Sequence, residues 1–261
     1  MSFQIDLNGK VVLITGATSG IGAGIAQSFA QAGAKIVGCA QYLKGSSEAL
    51  MFQKEMDLQD AESLYCSADL VRTDQIVNLV AEVIAHFGRI DVLVSNAGVN
   101  IFEGAEHCSE ERWMENHQIN LASHWLLAKA CKLALEANNG TIIMMSSNHA
   151  YSTIPGCFPY NVTKTALTGL VRSLAIEWAP GIRTVGIAPG FIDTPGNQAW
   201  FDSFDNPQLE RENTVNLHPV KKLGTAAEIG GWCVFLASEY AAFACGVTYL
   251  VDGGRSALMQ D

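Results

Sequence analysis

The chain has 261 residues, 49% hydrophobic and 16% charged, with a formal charge of −10 and a pI near 5.0. That length suits one large α/β domain or two small ones, and the apolar content points to buried parallel strands, large subunit interfaces, or both. The acidic balance argues against nucleic acid or an anionic membrane as a partner.

Seven cysteines stand at 39, 66, 108, 131, 157, 233 and 245, with no Cys-x-x-Cys pair and an odd count. Reduced thiols packed as small hydrophobes are expected, and with them a cytoplasmic location. Met1 to Asp6 lacks the basic and apolar regions of a signal peptide. No apolar run reaches about 18 residues, so no membrane span is expected. The residues offer no metal-ligating constellation.

In chain order, Lys10 to Thr15 is a β-branched run that reads as a buried strand. Gly16-Ala17-Thr18-Ser19-Gly20-Ile21-Gly22 follows at once, and then a helical stretch to Ala32. Strand, glycine turn and helix make a dinucleotide site. Glycines let backbone approach a pyrophosphate, and the helix N-terminus offers it free N–H groups. Lys35 to Ala40 is the second strand, and the adenosine ribose belongs at its end. An acidic residue there selects NAD and a basic one welcomes NADP. Here Ala40-Gln41 gives neither signal. Gln41 can bond the ribose hydroxyls, while Lys44 or Ser46 can meet a phosphate. With no arginine nearby, NAD is preferred and NADP stays possible.

Ser46 to Glu62 reads as a helix and Leu64 to Ala68 as a third strand, ending at Asp69. Asp69 either accepts from the adenine amino group or serves as a turn aspartate. Thr73 to Phe87 is an amphipathic helix stopped by Gly88, and Ile90 to Val94 a fourth strand. Ser95-Asn96-Ala97-Gly98 then lets a cofactor ring pass close to backbone. Ser109 to Ala137 reads as one long helix with Asn120 inside an apolar face, where an amide needs a partner. Thr141 to Met145 is the fifth strand, Pro159 to Trp178 a helix, and Ile182 to Ala188 the sixth strand. From about 191 to 223 prolines and aromatics break the pattern, and an irregular lid is expected. Thr225 to Ala237 is a helix and Gly246 to Val251 a seventh strand. The alternation predicts an α/β fold: one doubly wound sheet of seven mainly parallel strands, helices on both faces, in a single domain over 1–261. The dinucleotide part spans about 7–150 and the catalytic and substrate part about 140–261.

Tyr160 and Lys164 stand four residues apart, on one face of their helix. A free tyrosine titrates near 10 and is a poor base at neutral pH. An adjacent ammonium favours the phenolate, which makes Tyr160 a general acid/base tuned by Lys164. Ser147, beyond the fifth strand, can hydrogen-bond a reacting carbonyl oxygen.

These residues together resemble a short-chain dehydrogenase/reductase of the single-domain type of about 250 residues. The resemblance runs from about Leu7 to Gly254. It rests on Thr15-Gly16-x-x-x-Gly20-x-Gly22, Asp69-Leu70, Asn96-Ala97-Gly98, Asn120, Ser147, Tyr160-x-x-x-Lys164, Pro189-Gly190 with Thr194, and Asp252-Gly253-Gly254. It implies hydride transfer between a substrate carbon and a nicotinamide, with Tyr160 exchanging the proton and Ser147 orienting the oxygen. Lys164 would also hold the nicotinamide ribose, and Asn120 a water linking Lys164 to solvent. Gly16, Thr18, Ser19, Gly20, Ile21, Gln41, Asp69, Leu70, Asn96, Ala97, Gly98, Tyr160, Lys164, Pro189, Gly190, Ile192 and Thr194 are the expected cofactor contacts. A homotetramer is expected as well. Ser95 departs from the family's usual asparagine, a change expected to affect packing and not chemistry.

The substrate side is expected to comprise Ser147, Asn148, His149, Tyr160, Phe191 and Trp200. Polar Asn148 and His149 favour a sugar, polyol or hydroxy acid, unless they bond to nearby backbone. The aromatic lid keeps a hydroxysteroid or other lipophilic alcohol as the alternative. A catalytically idle dinucleotide-binding protein is the remote one.

Overall fold

Every side chain of Val11–Thr15 (β1) is buried, as in a strand covered on both faces. Along it Val12 and Ile14 join one apolar cluster while Val11 and Leu13 join the other. That period of two sets the architecture. The structure is a computed structural model and describes residues 4–258, so part of the Met1–Asp6 leader reading and the ends of the 1–261 domain lie outside it.

The elements follow in order: Gly20–Gln31 (α1), Lys35–Ala40 (β2), Ser47–Leu58 (α2), Ser63–Ser67 (β3), Thr73–Phe87 (α3) and Val92–Ser95 (β4). Then come Glu110–His117 (α4), Ser123–Glu136 (α5), Thr141–Met145 (β5), Tyr160–Trp178 (α6) and Arg183–Pro189 (β6). Ile192–Asp193 (β7), Pro195–Phe201 (α7), Pro207–Asn216 (α8), Gly224–Thr225 (β8), Ala226–Ala237 (α9) and Thr248–Val251 (β9) complete the chain.

Seven strands form one sheet in the order β3-β2-β1-β4-β5-β6-β9, every pair parallel. One face is covered by α1, α2 and α9, through Ile25, Phe29, Phe52, Met56 and Ile229. The other is covered by α3, α5 and α6, through Ile76, Val83, Leu127, Leu135, Leu167 and Val171. The order reverses between β1 and β4, and in such sheets ligands bind beyond the strand carboxyl ends at that point.

Two expectations change. The segment 191–223 is not irregular, since it holds α7, α8 and β7, which pairs in parallel with β8 just beyond it. Pro195 and Pro207, read as interruptions, open α7 and α8. A first-turn N–H has no helical partner, so proline costs nothing there. Thr194 and Asn206 cap the two helices, accepting from Asn197 N at 3.3 Å and Leu209 N at 3.1 Å. The long helix expected over Ser109 to Ala137 is α4 and α5 joined by a π-helical turn at Gln118–Ala122, and that turn contains Asn120.

Candidate active site

The loop from β1 to α1 is shaped by its glycines. Gly16 and Gly20 take φ of +67° and +54°, in the left-handed region. A Cβ on Gly22 would lie 2.0 Å from the Gly16 carbonyl oxygen, so helix and turn touch through bare backbone. Ser19 precedes α1 without capping it by its side chain, which leaves the first-turn N–H groups and the positive dipole end for an anion. Thr194 crosses in front, with its methyl 3.5 Å from where a Gly20 Cβ would stand. Thr18 and Ile21 flank the turn, half-buried. Behind it, Asn96 Nδ2 donates to the Thr15 carbonyl at 2.8 Å, and Thr15 Oγ1 accepts from Asn96 N and Ala97 N, each at 3.0 Å. These residues fit a dinucleotide pyrophosphate, and Asn96 braces the turn that would hold it.

At the end of β2, Gln41 is exposed. Lys44 is ion-paired with Glu82, and Ser46 caps α2 by accepting from Ala49 N at 3.2 Å. Of the two readings of Asp69, the turn is present: its Oδ1 accepts from Val71 N at 3.1 Å. Leu70 is a core side chain. Ile192, expected at the cofactor, also buries its side chain in the core, because Gly224 opposite it leaves room. Gly190 is held at the top of β6, donating to Val251 O at 3.0 Å, directly after buried Pro189.

The catalytic residues converge at the carboxyl ends of β4 and β5. Lys164 Nζ donates to the Met145 carbonyl at 3.0 Å, and the Lys164 carbonyl accepts from Ser146 Oγ at 2.7 Å. Asn120, fully buried, accepts from Val99 N at 3.0 Å and donates to Val99 O at 2.9 Å and to Asn116 Oδ1 at 2.8 Å. A Cβ on Gly98 would lie 2.7 Å from Asn120 Oδ1 and 3.4 Å from Lys164 Nζ, so Gly98 is the floor both polar atoms share. Ser147 Oγ accepts from His149 N at 3.2 Å and donates to Asn148 Oδ1 at 3.4 Å.

Sequence reasoning missed Asn116 and Phe102. Asn116 Nδ2 donates to Pro159 O at 3.0 Å and to Thr163 Oγ1 at 3.3 Å, which seats the first turn of α6. Its place one turn before Asn120 was the available signal. The Phe102 ring meets Tyr160 edge-on at 5.2 Å, and nothing local in the sequence marks it.

The titration of Tyr160 differs from the expectation. Burial pushes its pKa up to about 12, with the Ser147 hydroxyl working in the opposite direction. Lys164 lies 5.5 Å from the ring centroid, and burial pushes its own pKa down to about 8. Burial is thus the dominant influence on both groups, and it favours the neutral form of each. Ser95 bonds His124 Nδ1 at 2.7 Å, and burial lowers the His124 pKa to about 3. The departure at Ser95 is thus matched by a neutral buried imidazole.

On the substrate side the His149 ring stands edge-on to Tyr160 at 6.1 Å, and its Nδ1 faces Thr153 Oγ1 at 3.0 Å. Phe191 packs on Trp200 at 5.6 Å and on Phe201 at 5.4 Å. Among the described residues Trp200 makes its ring contacts within this lid, with Phe191, Phe201 and Phe204. The structure therefore brings Ser147, Asn148, His149 and Tyr160 together and gives Trp200 a place in the lid cluster.

The parallel sheet, glycine cradle and Ser147–Tyr160–Lys164 group define a dinucleotide-dependent oxidoreductase, and the chain belongs to the short-chain dehydrogenase/reductase family. Residues 16–256 match the family model described as Enoyl-(Acyl carrier protein) reductase. Among curated relatives, D-threitol dehydrogenase of Mycolicibacterium smegmatis is 36% identical over 97% of this chain and 95% of its own. Glucose 1-dehydrogenase of Gluconobacter oxydans is 36% identical over 94% of this chain and 91% of its own. The solved aldohexose dehydrogenase of Thermoplasma acidophilum superposes with a TM-score of 0.88 at 27% identity, over 99% of this chain and 98% of that one.

Proposed function

We propose that the protein is an NAD-dependent dehydrogenase that oxidises a secondary alcohol of a sugar, polyol or hydroxy acid to the carbonyl. The single observation that carries this is the convergence of Ser147, Tyr160 and Lys164 with polar Asn148 and His149 beyond the carboxyl end of β5. The named activities of the threitol, glucose and aldohexose dehydrogenase relatives support the substrate class.

The bound dinucleotide supplies the hydride acceptor and, when oxidised, a positive ring. That positive charge would favour the Tyr160 phenolate, which would take the hydroxyl proton and become the phenol as the carbon gives up its hydride, so that a C–H and an O–H bond of the substrate break and a C=O bond forms. Ser147 holds the oxygen. Lys164 Nζ, fixed by Met145, keeps two further N–H groups for the ribose hydroxyls and for a water. Asn120 keeps one lone pair for that water.

Preference for NAD rests on Lys44 and Ser46, the two groups able to meet a 2′-phosphate. One is paired with Glu82 and the other caps α2. A homotetramer is proposed from exposed apolar side chains on two helices, Leu133 at 79% and Ile176 at 81%. Seven unpaired cysteines support a cytoplasmic setting. The exposed aromatics Trp200 and Phe204 favour a second reading, oxidation of a lipophilic alcohol.

The test is a coupled screen of sugars, polyols, hydroxy acids and steroids with NAD or NADP, following reduced nicotinamide. Turnover of a sugar-derived alcohol with NAD is expected. Turnover confined to steroids would replace the substrate class, and a Tyr160→Phe variant with full activity would remove the proposed chemistry.

A further inference from the structure

Asn116 and Asn120 are both fully buried, one turn apart, the first near the end of α4 and the second in the π-helical turn. A position that only filled space there would be apolar, because a buried amide is stable only when its hydrogen bonds are made. Those of Asn116 form a line. Its Oδ1 accepts from Asn120 Nδ2 at 2.8 Å, and its Nδ2 donates to Pro159 O at 3.0 Å and to Thr163 Oγ1 at 3.3 Å. The Thr163 hydroxyl in turn donates to Tyr160 O at 2.9 Å. An unbroken run of hydrogen bonds thus leads from the Asn120 amide to the backbone of Pro159 and Tyr160. On its other side Asn120 is bonded to Val99 N and O, in the loop after β4, and its Oδ1 and Lys164 Nζ converge over Gly98. Asn116 therefore joins the amide that faces Lys164 to the turn that carries Tyr160. It is not alone in seating α6, since Phe158 O accepts from Glu103 N at 2.8 Å and from Gly104 N at 3.0 Å, and Ser146 Oγ donates to Lys164 O at 2.7 Å.

We propose that Asn116 is a positioning residue for proton transfer, holding the Asn120 amide and the Tyr160 turn in one alignment. This rests on the alcohol-oxidation reading above and adds a residue to it. The hydrogen bonds of Asn116 end on Asn120, Pro159 and Thr163, so its effect passes through them to the reacting groups. A displacement of about 1 Å at a reacting group can cost about a hundredfold in rate. Dinucleotide and alcohol are bound by other residues, so the loss should fall on kcat and spare binding. Asn116 and Asn120 act as one unit, and the effects of such residues do not add.

The experiment compares wild type with Asn116→Leu, which keeps the bulk and deletes the bonds, with Asn120→Ala and with the double variant. Oxidation of D-threitol, D-glucose and the other alcohols of the screen above is followed with NAD, and NADH binding is read from nucleotide fluorescence. Asn116→Leu should lower kcat about tenfold or more, leave both KM values and NADH affinity within threefold, and enlarge the solvent deuterium isotope effect on kcat. The double variant should match Asn120→Ala within threefold. Should Asn116→Leu fail to fold, Thr163→Val carries the test, because it deletes only the hydroxyl between Asn116 and Tyr160 O. Its kcat should then fall threefold or more, with affinities unchanged. A kcat within threefold of wild type, affinities that fall in step with kcat, or losses that multiply in the double variant would overturn the assignment and leave the dehydrogenase reading intact. Failure of wild type to oxidise any of these alcohols sinks that reading and the assignment together.

Discussion

Lys164 and Tyr160 stand one turn apart on α6, the ammonium 5.5 Å from the ring centroid and bonded to the Met145 carbonyl at 3.0 Å. Burial drives the two pKa values apart, Lys164 down to about 8 and Tyr160 up to about 12. Below pH 8 the folded protein holds a buried charge, and between pH 8 and about 10 the unfolded chain binds more protons at Lys164. Stability should therefore rise with pH through that window, before Tyr160, neutral only in the folded state, reverses the slope. Lys164→Met should be inactive and more stable at pH 7, by about 1–3 kcal/mol. Urea titrations at pH 7 and pH 9.5 measure both effects.

Gly22→Ala is expected to damage the cradle, because the new Cβ meets the Gly16 carbonyl oxygen at 2.0 Å and backbone on both sides has little room to yield. Overpacking of this kind costs about 1–3 kcal/mol. Dinucleotide affinity, read by quenching of tryptophan fluorescence, should fall a hundredfold or more. Affinity within threefold of wild type would show that the turn does not carry the pyrophosphate.

Cofactor choice should depend on the partner of Lys44. Glu82 now holds that ammonium through an ion pair. Glu82→Ala frees it to meet a 2′-phosphate, so kcat/KM with NADP should rise about tenfold while the NAD value stays within twofold. Steady-state kinetics with both cofactors tests this directly.

Asp91 ties the amino ends of β1 and β4 together. Burial tends to raise its pKa, but the Arg89 guanidinium, the Val11 N–H at 3.0 Å and Lys10 at 3.1 Å overcome that and hold it below the usual range. A depressed carboxylate lends stability above its unfolded pKa and loses it as pH falls through the folded one. Asp91→Asn should cost about 3 kcal/mol at pH 7 and flatten the acid limb of the stability curve. Denaturant midpoints from pH 7 to pH 2 show whether it does.

Local pattern made most of this fold legible. The β-branched runs gave the seven sheet strands to within a few residues, because strands buried on both faces leave a strong local signature. The cradle and Tyr160-x-x-x-Lys164 were legible because their chemistry depends on short spacings. Asn116 and Phe102 were not, since each acts on α6 across a long sequence separation. The raised pKa of Tyr160 was hidden for a related reason: burial is a tertiary property, and spacing shows only the neighbouring lysine. The helices of the lid were not legible because Pro195 and Pro207 read alike as breakers or as first-turn residues until the caps at Thr194 and Asn206 are known.

The π-helical turn at Gln118–Ala122 has a mechanical corollary. One extra residue in a turn advances everything downstream by about 100° around the helix axis. The α4 and α5 segments are therefore two rotors locked out of phase, the first aiming Asn116 at α6 and the second laying Leu127, Cys131 and Leu135 on the sheet. A chain shortened by one residue within the turn would restore an even screw and would have to give up one of those two alignments.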